Sequence, residues 1–367
     1  MRVEIFNVEH GFCALVTGRS GEQILVDCGH NSATGWRPSE HPLKRPLDLL
    51  VITNYDQDHL SDFCGVWSKI GFRWLSANFS IAAPTLATLK REQGPLSTEM
   101  KTLVNVLAGI GPIVPVPLPS IRWATFCIPF PYLRPNETNK HSLVVFMEAD
   151  GINIVFPGDL PAEGWRELLA QPLFCEYLRR VNIFVASHHG RDDGFCKEVF
   201  NYCSPDVVVI SDDEIQFDTQ QVNYSQYAKG VAVDGQRRYA LTTRNDGKLT
   251  IESSIYGFTV KTSNGTTNNI SPILQALLSH SKPASNPSAL GLLGLGSGAQ
   301  ALRSLDPSSR GLGLINSVPP RQNSILADLL RPPSQSPKPP ASSLINPRPA
   351  DTLKANLLAE LLKKRKE

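Results

Sequence analysis

The stretch "LLVITNYDQDHLSD", Leu49 to Asp62, decides how this chain reads. A run of apolar and β-branched residues, the pattern of a buried strand, ends in Asn54, Asp56, Asp58 and His59 within six positions. Capping of a following helix by Asp58 accounts for neither Asp56 nor His59. Carboxylate plus imidazole is a ligand set for zinc, manganese or iron, so the loop reads as a candidate metal site.

Three further apolar runs end the same way. "ILV" runs into Asp27-Cys28-Gly29-His30, "NIVF" into Pro157-Gly158-Asp159, and "NIFVAS" into His188-His189-Gly190. Lying side by side, these strands would bring acids and imidazoles to one rim, where open α/β sheets place their sites. Two ions sharing a bridging carboxylate would then position and ionise a water for attack on an ester or phosphodiester.

Around these runs the first 261 residues alternate short apolar strands with helical patterns near 60–70, 97–108, 162–169 and 197–202. That alternation argues for α/β layering. Asp-Gly in "EADGIN" (148–153) and "RNDGKL" (244–249) is the chemistry of tight hairpins, so antiparallel pairs are expected too. The expected architecture is a sandwich of two mixed sheets with helices outside. Residues 83–120 read as a helical insertion followed by a Pro-punctuated stretch, with no function attached.

Composition divides the chain. Residues 1–261 hold every Phe, Trp, Tyr, Cys and Met, whereas 262–367 hold none of these and 13 of the 29 prolines. Such a tail cannot bury enough apolar surface to offset its ordering entropy and is expected to be mostly disordered. Basic and acidic residues number 24 and 29 in the first part but 12 and 5 in the tail. A basic arm of this kind suits either nucleic acid or an acidic partner, or serves only solubility. Three Leu-x-x-Leu-Leu segments, within 273–278, 325–330 and 356–362, form short apolar faces that a protein partner's groove would accept. Seven scattered cysteines without a CxxC pair argue against a disulfide framework and a zinc ribbon. With neither a leader-like start nor an apolar run of bilayer length, a cytoplasmic protein without membrane insertion is expected.

The order "NVxHGxCxLV", "ILVDCG", "TNYDQDH", "NxxSLVV", "FPGD", "SHHG" and "PDVVVIS" resembles the metallo-β-lactamase fold superfamily. Within it the match is to the branch of ComEC-type DNA-uptake hydrolase domains and related phosphodiesterases, and it covers about Met1 to Ser253. The resemblance implies one metal site formed by Asp58, His59, Asp159 and one of His188 and His189. Asp159 would bridge to a second site holding Asp56 and residue 54. The other histidine of the pair would touch substrate or donate a proton, and Asp27 would steady the metal loop from behind. This chain departs from the pattern at Asn54, where the branch has His. An amide oxygen is a poor zinc ligand, though acceptable to harder ions, so the count of one or two ions, zinc or manganese, stays open.

The other polar positions read more blandly. His10 is expected in a structural or rim role, and His41 and His141 on the surface or in strands. Asn139 and Ser142 would hydrogen-bond near the cleft, and the Arg191 guanidinium fork suits a phosphate. These residues lead to a metal-dependent hydrolase, nuclease-like or phosphodiesterase, acting on DNA, RNA or a nucleotide. The alternatives are a weakened or inactive scaffold that recruits a partner through the tail, and a thioester or lactone hydrolase.

Overall fold

The computed structural model describes residues 1–110, 118–130, 137–213, 219–233, 236–255 and 257–263, and the backbone of 265–270. The Leu-x-x-Leu-Leu segments lie outside the described residues, and all that follows concerns one compact unit within Met1–Lys282.

In chain order the strands are β1 (Arg2–Ile5), β2 (Ala14–Thr17), β3 (Gln23–Val26), β4 (Leu47–Val51), β5 (Phe72–Ser76), β6 (Arg122–Phe126), β7 (Val144–Ala149), β8 (Ile152–Phe156), β9 (Ile183–Val185), β10 (Val207–Ile210), β11 (Val231–Val233), β12 (Gln236–Arg238), β13 (Ala240–Thr242), β14 (Leu249–Ser254), β15 (Gly257–Thr262) and β16 (Gly265–Ile270). One sheet runs β12-β11-β16-β15-β14-β1-β2-β3-β4-β5 and the other β13-β10-β9-β8-β7-β6. Both are mixed: β3, β4 and β5 are parallel in the first, and β8, β9, β10 and β13 in the second. The first sheet continues beyond residue 261, because β16 pairs with β15 through Ile270.

Alternation along the strands builds three apolar layers. Leu49 and Val51 of β4 join Val145, Met147, Ile154 and Val185 in the core between the sheets. Leu50 and Ile52 point the other way, toward Leu86 and Leu103. Those two belong to helices Ala83–Gln93 and Thr98–Gly109, so the insertion covers the outer face of the first sheet. Val144, Phe146 and Phe184 face outward from the second sheet onto Trp165, Phe174 and Leu178, carried by helices Ala162–Leu169 and Pro172–Leu178. The expected sandwich of two mixed sheets with helices outside is what the chain forms.

Two local expectations fare differently. "EADGIN" is a hairpin: Asp150 and Gly151 take φ of 52° and 82° between paired Ala149 and Ile152, the turn that right-twisted strands require. "RNDGKL" is not. Thr242 caps a short helix, Thr243–Asp246, by accepting from Asn245 N at 3.1 Å, and Asp246 accepts from Thr242 N and pairs with Arg238. The capping threonine turns the segment into a crossover from β13 of one sheet to β14 of the other. Helix 60–70 is likewise interrupted, into Gln57–Leu60, Phe63–Gly65 and a π-turn over Val66–Ile70. Among the described residues no helix is long and apolar enough to cross a membrane.

Candidate metal centre

The carboxyl ends of β3 and β4 lie together in one sheet, and those of β8 and β9 in the other. Close backbone contacts join the loops that follow. Cys28 N donates to His59 O at 2.8 Å, and His188 N to Gly158 O at 3.1 Å. Gly158 has φ of +60°, and a Cβ there would come within 3.0 Å of Thr53 O. Glycine therefore lets the two sheets approach at the rim.

Ligand atoms from Asp58, His59, Asp159 and His189 all fall within 4.8 Å of one another. His59 Nε2 is 3.0 Å from Asp159 Oδ1, and His189 Nε2 is 3.1 Å from Asp58 Oδ2 and 3.5 Å from Asp159 Oδ1. Ligands about 2.1 Å from a tetrahedral ion stand about 3.4 Å apart, so these separations suit one divalent cation. The outward ring nitrogens are spoken for. His189 Nδ1 donates to the Ser211 carbonyl at 3.0 Å, and His59 Nδ1 is 2.8 Å from Asp27 Oδ2. Both contacts turn Nε2 into the cluster. Asp27 is fully buried, has φ of 58° and accepts from Thr53 N at 2.7 Å.

The electrostatics of the cluster favour positive charge. Burial disfavours a charged imidazole, yet Asp159, Asp27 and Asp58 together hold the His59 pKa well above its ordinary value. Burial likewise opposes charge on His189, but Asp159 and Asp58 raise its pKa. Burial would raise the carboxyls too. The His59 and His189 charges outweigh it, keeping Asp58 far below the usual carboxylate range and Asp159 at about 2. Three carboxylates thus draw protons onto two buried imidazoles, and a divalent cation at Asp58 and Asp159 would replace those protons.

The neighbouring histidine has a different environment. His188 and His189 both occupy the left-handed region, with φ of 49° and 55°, a costly conformation for side-chain-bearing residues. The twist separates the rings: His189 enters the cluster, while His188 places Nδ1 2.8 Å from Asp193 Oδ1 and accepts from Arg191 Nη1 at 3.2 Å. Arg191 also donates through Nη2 to His10 Nε2 at 2.8 Å. Burial, with the nearby His189 charge, lowers the His10 pKa to about 4, so His10 accepts as a neutral ring. His10 is therefore at the rim, its ring centre 4.4 Å from that of His189.

The residues expected at a second ion are not gathered into the cluster. Asn54 Oδ1 accepts from Asp56 N at 3.0 Å, and its amide nitrogen faces Asn139 Oδ1 and Ser142 Oγ, each at 3.4 Å. Asn139 and Ser142 thus hydrogen-bond at the cleft, where Ser142 Oγ also accepts from Asp159 N. Asp56 is paired with Lys90. Lys90 was not legible as a site residue, and its only sequence signal is a charge within a helix that is otherwise half apolar. His141, expected on the surface or in a strand, is instead buried in a 3-10 turn, where Asn78 donates to its carbonyl and the Phe130 ring lies 6.4 Å from its own. An open cleft brings together Asp56, Asp58, Lys90, Asp159, His188 and Arg191.

No family model matches the chain. It is 24% identical over 212 residues to ComE operon protein 3 of Bacillus subtilis, covering 52% of this chain and 25% of that one. The chain thus spans about a quarter of the curated relative it matches. Among solved structures it is similar to the metallo-β-lactamase fold protein YhfI of Bacillus subtilis, at TM-score 0.40 and 10% identity, over 68% of this chain and all of that one. It is similar also to Igni18, a metallo hydrolase of Ignicoccus hospitalis, at TM-score 0.36 and 13% identity over 69% and 100%. Zn(2+)-bound PqqB of Methylobacterium extorquens matches at 0.32 and 12% over 50% and 72%. The curated match, to a ComE operon protein, is of the kind that the motifs resemble.

Proposed function

We propose that the chain is a metal-dependent hydrolase of phosphodiesters in nucleic acid or a nucleotide. The observation that carries the reading is the convergence of Asp58, His59, Asp159 and His189, two of which, Asp58 and Asp159, line a cleft together with Lys90 and Arg191. When bound, the ion supplies Lewis acidity and lowers the pKa of a water. The chain's own residues do the rest. Asp27 and the Ser211 carbonyl orient the two imidazoles. The Arg191 fork, steadied by two imidazoles, receives an anionic substrate oxygen. His188, whose Nδ1 faces Asp193 and whose Nε2 accepts from Arg191, holds that guanidinium at the cleft wall and meets the leaving oxygen only once Arg191 turns to the substrate.

The test is hydrolysis of bis-p-nitrophenyl phosphate, single-stranded DNA and RNA by the full chain with zinc or manganese, with Asp159→Ala as control. Turnover that requires Asp159 supports the reading. Turnover of thioesters or lactones alone moves the assignment to acyl transfer. A second reading, a scaffold whose tail (262–367) recruits a partner, is favoured by Asn54 and Asp56 both being engaged within the protein. Absence of turnover on every substrate selects it.

A further inference from the structure

Asp56 is the carboxylate that the motif assigns to a second ion, and it already has a cation. Lys90 lies 34 residues away on helix Ala83–Gln93 and reaches Asp56 Oδ1 with its ammonium. The Lys90 side chain is held against the protein, while the Asp56 carboxylate stays 33% exposed toward the cleft. Lys90 is 8% exposed, its helix packs Leu86 and Leu89 into the protein, and Gln93 Oε1 lies 3.3 Å from Nζ. Gln93 in turn donates to Thr138 Oγ1 at 3.1 Å. An ammonium this close to the carboxylate repels a divalent ion from the same position. On the other side, Asn54 offers no imidazole, and its amide oxygen is taken by Asp56 N. A second divalent ion would therefore have to displace a held cation and bind an occupied amide. The four-residue cluster meets neither obstacle, and Lys90 and Asp58 line the same cleft.

We propose that Lys90 stands in for a second metal ion: the chain holds one divalent cation, and a lysine on the insertion helix supplies the other positive charge. The inference rests on the metal-dependent reading above and gives the insertion a role beyond covering the sheet. It also implies that anionic substrate oxygens meet an ammonium and a guanidinium, Lys90 and Arg191, in the cleft that Asp58 and Asp159 line.

The test is an ion count by native mass spectrometry on the full chain, stripped with chelator and returned to excess zinc or manganese. Wild type should carry one ion, and Asn54→His, which keeps Lys90, should still carry one. Asn54→His with Lys90→Met should carry two, with native circular dichroism. Two ions in wild type, or in Asn54→His alone, overturn the proposal, as does a folded double variant that stays at one. No ion in wild type overturns the metal-dependent reading itself, a failure distinct from a count of two.

Discussion

Asp27 Oδ2 lies 2.8 Å from His59 Nδ1, with both side chains excluded from water. Asp27 touches no expected substrate position, so its effect passes through the ring it orients. Asp27→Asn keeps an acceptor for Thr53 N but loses the charge facing the imidazole. Zinc affinity should fall about 10–100-fold, read by competition with a chromophoric chelator, and an unchanged affinity would refute this coupling.

The histidine pair should separate cleanly. His189 Nε2 faces Asp58 and Asp159, whereas both nitrogens of His188 face Asp193 and Arg191. His188→Ala should therefore retain the ion while Asp159→Ala and His189→Ala lose it, by elemental analysis of protein purified without added metal. Loss in His188→Ala would reverse the assignment of the pair.

Arg191 bridges His10 and His188 at the cleft wall. A hydrogen bond involving a charge contributes about 1.5–3 kcal/mol, which is about 10–100-fold in a rate or binding constant. Arg191→Met should lower kcat/KM on a phosphodiester by that factor, mainly through KM. Lysine should restore it only in part, since it lacks the fork.

His141 sets an acid limit on stability. Burial first, and then the Lys90 charge, lowers its pKa from 6.5 to about 4, and among the described residues its Nε2 has no hydrogen-bond partner. Below about 6.5 the unfolded chain takes up a proton that the folded chain refuses until about 4. This contribution to stability is therefore whole above 6.5 and is lost as pH falls through that window. Thermal midpoints of His141→Phe should fall less steeply between pH 6.5 and 4 than those of wild type. His10 titrates with the same sign, so the slope should shrink without vanishing.

Trp165 is 1% exposed and packs on Phe174 and Phe184, with ring centres 6.0 and 5.7 Å away. Trp165→Ala should cost about 3–5 kcal/mol of unfolding free energy, measured by urea denaturation. A loss under about 1 kcal/mol would mean that the outer helical layer is not part of the cooperative unit.

Much of this was legible because it is written in neighbouring residues. A strand that alternates apolar faces and then ends in acid or imidazole declares both its layer and its rim, as Leu49, Val51, Asp56, Asp58 and His59 do. The Asp-Gly at 150–151 reads correctly as a hairpin for the same reason. The same dipeptide at 246–247 misleads, because the Thr242 cap and the Arg238–Asp246 pair, contacts equally local, favour a helical turn over a hairpin.

By itself the sequence determined the two-sheet sandwich and the residue types delivered to its rim, since periodicity and strand ends are local properties. Only the tertiary structure decided that His189 and not its neighbour joins Asp58, His59 and Asp159, because two left-handed residues in a row send adjacent rings to different partners. It alone also decided that Asp56 meets Lys90. A lysine within an amphipathic helix looks like any solvated charge until the helix is laid across the sheet, and long-range packing, not spacing along the chain, brings the ammonium to the carboxylate.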